Sequence, residues 1–118
     1  MNKISGLALG LAIALAASGA EAHAKLVAAD PPMGGVAKAK PSSLSLTFNE
    51  EISGKLSGAS VKDGAGRAVT SSAMAEGAKT LMVMLKQPLT PGVYSVAWHA
   101  VASDDGHRTT GTYKFTVN

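Results

Sequence analysis

Beyond residue 22 the chain is built of short runs in which apolar and polar residues alternate. From Ser43 to Glu50, Leu44, Leu46 and Phe48 fall on one face and Ser45, Thr47 and Asn49 on the other, the period of a half-buried strand. Val93 to Val101 sets Tyr94, Val96, Trp98 and Ala100 against Val93, Ser95, Ala97 and His99, and Gly111 to Val117 aligns Tyr113, Phe115 and Val117. Lys79 to Lys86 places Leu81, Val83 and Leu85 opposite Met82 and Met84, with either face able to be buried. Shorter runs at residues 25–29, 59–62 and 67–70 are bounded by Asp30-Pro31-Pro32, Asp63-Gly64 and Gly66, which favour turns. No stretch after residue 22 sustains a helical stripe. The spacing predicts an all-β domain of about seven short strands, arranged as a sandwich.

The beginning of the chain follows a different pattern. Met1-Asn2-Lys3 supplies positive charge, and Ile4 to Ala17 is an almost unbroken apolar stretch, too short to span a bilayer comfortably. Ala20-Glu21-Ala22 then offers small residues at the −3 and −1 positions of a signal-peptidase site. Residues 1–22 are expected to be a signal peptide and residues 23–118 a single exported domain, without a membrane span, that begins at His23.

Composition narrows the function. Hydrophobic residues at 46% and charged residues at 16% argue for a folded domain rather than a disordered polyelectrolyte. The formal charge of +3 is spread over scattered lysines with little aromatic interleaving, so nucleic acid is not an expected partner. The chain has no cysteine, which removes disulfides, thiolate nucleophiles and thiolate metal sites together. Histidines at 23, 99 and 107 remain, and nothing couples either of the two later ones to a nucleophile; no catalytic residue is expected.

An N-terminal His23 would offer both its α-amine and its Nδ1 to one metal, closing a six-membered chelate ring. The amine, with an ordinary pKa of about 7.7–8.0, yields its proton to a metal far more readily than a lysine does. Asp105-Gly106-His107 lies between the two strongest strand patterns. Asp and His two positions apart on extended chain can point the same way, and Gly106 lets the backbone bend so that both reach one point. Such a tripeptide is also the composition of an ordinary turn with a solvent-facing histidine. Joined to His23, it becomes three nitrogens and a carboxylate oxygen, a set suited to tetragonal Cu(II), with Zn(II) and Ni(II) as rivals.

These residues resemble the CopC-type periplasmic copper-binding proteins of bacterial copper resistance. The resemblance runs through His23-Ala24-Lys25-Leu26 with Asp30-Pro31 and Gly34, and through Leu44 to Glu50 and Pro91 to Trp98. It continues in Ser103 to His107, with Gly111 and Phe115 beyond. It implies a seven-stranded Greek-key β-sandwich, of the cupredoxin and immunoglobulin-like kind, with one Cu(II) per chain at one end. It also implies His23 and His107 as nitrogen ligands, Asp105 as an oxygen ligand or orienting group, and Glu50, or its neighbour Glu51, as a supporting carboxylate. Some members carry a methionine-rich loop that binds Cu(I). Here Met33, Met74, Met82 and Met84 lack that density, Met82 and Met84 are expected to pack in the core, and a Cu(II)-only protein is expected. His99 is expected to stand outside the site.

Three functions compete. The first is a Cu(II) carrier that sequesters copper or passes it to a CopD-type inner-membrane transporter or another periplasmic copper protein. The second is a copper-dependent oxidative enzyme with a histidine brace; small size, few aromatics and a carboxylate beside the metal weigh against it. The third is a metal-free secreted module, which would make the meeting of His23, Asp105 and His107 a coincidence.

Overall fold

The computed structural model describes residues 23–37 and 39–118; the expected signal peptide, residues 1–22, lies outside them. Nine strands form in the order β1 (Leu26–Asp30), β2 (Val36–Ala37), β3 (Ser43–Phe48), β4 (Gly58–Lys62) and β5 (Ala68–Val69), then β6 (Ser71–Ala75), β7 (Thr80–Leu85), β8 (Gly92–Val101) and β9 (Arg108–Val117). They build two sheets, one ordered β1-β3-β7-β6 and the other β2-β9-β8-β4-β5. The chain is a β-sandwich, as its alternation predicts. Among the described residues no helix is long and apolar enough to cross a membrane.

The alternating residues meet between the sheets. Leu44, Leu46 and Phe48 from β3 and Leu81 and Val83 from β7 face Val61, Tyr94, Val96, Tyr113 and Phe115 from the other sheet, all buried. The few aromatic rings join strands between and within the sheets: Phe48 of one sheet meets Trp98 of the other edge-on at 5.2 Å, and Tyr94 stacks on Phe115, its cross-strand partner, at 5.6 Å. The Tyr94 hydroxyl donates to the Thr90 carbonyl at 2.6 Å, fastening the turn into β8. The indole of Trp98 lies directly over Gly111, where a Cβ would collide with the ring; β9 needs glycine there for close approach.

Three details depart from the sequence pattern. Nine strands form where about seven are predicted, because the edge strands β2 and β6 fall where no strand is predicted. β9 starts at Arg108, three residues before the predicted Gly111. The expectation that Met82 and Met84 pack in the core is wrong: Leu81 and Val83 take the inward positions, and Met84 is 40% exposed while Met82 is half-buried. Met74 on β6 pairs in register with Met82, so these thioethers share the outer face of the four-stranded sheet.

Candidate metal centre

The loop between β8 and β9 is held tightly at both ends. Ala102 bridges Ile52. Its amide donates to the His107 carbonyl at 2.9 Å, and its carbonyl accepts from the Gly106 amide at 3.0 Å. Inside that frame Asp105 folds back, one carboxylate oxygen accepting the His107 amide at 2.9 Å, while Asp104 accepts the Asp105 amide at 2.7 Å. Gly106 adopts φ +70°, a left-handed conformation that side chains disfavour. The Asp-Gly turn predicted from the sequence is therefore present, and it aims the Asp105 and His107 side chains together.

His23 reaches the same point from the far end of the chain. The His23 and His107 rings stack with centroids 3.9 Å apart and 20° between their planes. One donor atom each from His23, Asp105 and His107 falls within 4.8 Å of the other two. Asp105 and His107 are exposed and His23 is half-buried, which leaves the cluster open on one side.

Two buried polar atoms near this end have no hydrogen-bond partner, Nδ1 of His23 and Oε2 of Glu50. Buried polar atoms are nearly always paired, so orphans beside converging donor atoms support a ligand there. For His23 the orphan is Nδ1, the ring nitrogen that can chelate together with the α-amine. The cluster therefore fits a borderline metal ion on chemical grounds as well as by convergence.

Glu50 stands beside the converging set rather than in it. With Asn49, Glu51, Lys79 and Asp104 it lines a cavity of about 330 Å³. Glu51 is exposed and contributes its carbonyl to the Ser103 amide at 2.9 Å, so of the two glutamates Glu50 alone has an unpartnered buried oxygen. His99 lies elsewhere, on the outward face of β8 opposite Gly58, where an added Cβ would come within 2.9 Å of its ring.

Comparison with known proteins places this architecture. The CopC domain family matches residues 26–118. The chain belongs to the CopC family. Its relatives include copper resistance protein C of Pseudomonas syringae pv. tomato, 35% identical with 99% of this chain and 98% of that protein covered. Protein YobA of Escherichia coli is also 35% identical, over 81% of this chain and 79% of its own. Among solved structures, PcoC, a methionine-rich copper resistance protein from Escherichia coli, superposes with TM-score 0.75 at 31% identity. That match covers 82% of this chain and all of PcoC. CopC from Methylosinus trichosporium matches with TM-score 0.75 at 30% identity, over 81% of this chain and 94% of its own. The Pseudomonas protein and PcoC carry names of copper resistance rather than of a catalysed reaction.

Proposed function

We propose that this CopC-family chain is a periplasmic protein that binds one Cu(II) and either sequesters it or hands it to a CopD-type transporter or another copper protein. Removal of residues 1–22 would free the His23 α-amine. That amine and the His23 Nδ1 hold the ion as a chelate, His107 adds the third nitrogen, and Asp105 adds an oxygen and a negative charge. Glu50 supports the site from its flank. The observation that carries this reading is the meeting of His23, Asp105 and His107 within 4.8 Å, although the first is more than eighty residues from the others. A nitrogen-rich set with one hard oxygen suits Cu(II).

The decisive experiment pairs intact-mass measurement of the exported protein with Cu(II) titration by chelator competition. The expected mass begins at His23, with one Cu(II) per chain. Adding a single residue ahead of His23 converts the amine into an amide and should lower Cu(II) affinity by orders of magnitude. Equal affinity in the extended protein would remove the amine from the ligand set.

A further inference from the structure

We propose that Asn49 and Thr109 are positioning residues for His23, holding the start of the domain in its ligating place before any metal arrives. This rests on the Cu(II) reading above and adds to it two residues that donate nothing to the metal.

A residue at the very start of a domain ordinarily has little to hold it. Here the two residues that follow His23 are fixed from both sheets. Asn49, just past the end of β3, grips Lys25 twice: its Oδ1 accepts the Lys25 amide at 2.7 Å, and its own amide donates to the Lys25 carbonyl at 3.0 Å. Thr109, on β9, donates its hydroxyl to the Ala24 carbonyl at 2.7 Å. Between these grips the Ala24 side chain is 1% exposed and belongs to the core. The segment is thus strung across the end of the sandwich, tied to the four-stranded sheet through Asn49 and to the five-stranded sheet through Thr109. His23 is the next residue out and overhangs the loop that carries Asp105 and His107.

Ordering a mobile terminus on binding costs conformational entropy that is subtracted from affinity. A terminus already ordered avoids that loss. Thr109 also stands two residues after His107, which immediately precedes β9, so one short segment supplies both a nitrogen ligand and the tether for the opposing one. Movement of that segment would shift both together and preserve their spacing.

Two single variants separate the grips. Asn49→Ala removes the side-chain acceptor for the Lys25 amide, and Thr109→Val removes only the hydroxyl while keeping the shape. Each should lower Cu(II) affinity by about 10- to 100-fold, the range for residues that orient metal ligands, and Thr109→Ser should restore it. In the metal-free protein, hydrogen exchange at the Lys25 amide should accelerate in Asn49→Ala while protection in β8 stays unchanged. In a His23→Ala background, which keeps the α-amine but not the ring, Thr109→Val should cost less than it does in the parental protein, because one of the two positioned donors is gone. Full additivity in that cycle, or parental affinity in both single variants, would overturn the proposal. Unchanged Lys25 exchange in Asn49→Ala would refute the grip itself. A parental protein that fails to bind Cu(II) would instead sink the functional reading, and the metal-related role with it, whatever the exchange data show.

Discussion

Asp105, His107 and His99 lie within nine residues of one another and are expected to contribute unequally to copper binding. His107 offers a ring nitrogen to the cluster, so His107→Ala leaves an open position. Asp105→Asn keeps the oxygen that accepts the His107 amide and loses only charge, so the turn survives and the damage is smaller. His99→Ala should leave binding intact, since that ring lies on the outward face of β8. Cu(II) affinity and nitrogen couplings in electron paramagnetic resonance, measured on folded variants, should rank the losses in that order. Couplings that change in His99→Ala and persist in His107→Ala would mean the third nitrogen has been misassigned. The Asp105-Gly106-His107 turn was legible in the sequence because all its parts are local. Asn49 and Thr109 were not: they act on partners 24 and 85 residues away, and an Asn after a strand or a Thr within one is commonplace.

The strands β3, β7 and β8 show how far alternation carries. A period of two identifies a strand and divides its residues into two faces, but it does not say which face is covered. Where one face was plainly polar, as in β3, the core followed directly. In β7 both faces were apolar, and the choice of Leu81 and Val83 over Met82 and Met84 came from the opposing sheet, which leaves no signature in the local sequence. The strand β6, with Ser71-Ser72-Ala73-Met74-Ala75, lacks the branched and aromatic residues that mark strands; pairing with β7 alone defines it.

The inward face of β9 supplies a prediction of its own. The Tyr113 hydroxyl is buried without a partner, and its pKa rises from 10.0 to about 12, chiefly through burial and secondarily through the charge of Asp30. The folded state holds this proton longer than the unfolded chain does. Its contribution is therefore complete below pH 10 and is lost as pH climbs from there to about 12. Tyr113→Phe should flatten that alkaline decline in denaturant titrations and leave stability at neutral pH equal or slightly higher, since an unpaired hydroxyl is removed. Parallel alkaline slopes for the two proteins would count against it.

On the scale of the whole molecule the sandwich is a frame that brings His23 to the hairpin between β8 and β9. Carboxylates collect there as well: Glu50, Glu51 and Asp104 border one cavity beside Asp105, in a chain whose formal charge is +3. The burial of Ala24 has a further consequence, one of timing. A peptidase that severs Ala22 from His23 must grasp extended chain on both sides of the bond, yet Ala24 is sealed in the core and Lys25 is bound to Asn49. On the proposed cleavage, maturation is expected to come before folding, so that the histidine would acquire its free amine while the chain is still emerging and the frame would close around it afterwards. Precursor folded in advance should resist signal peptidase, whereas the same chain presented unfolded is cut; equal rates would break this order. On the proposed ligand set, a chain that folded too early would be a well-formed sandwich permanently denied the amine.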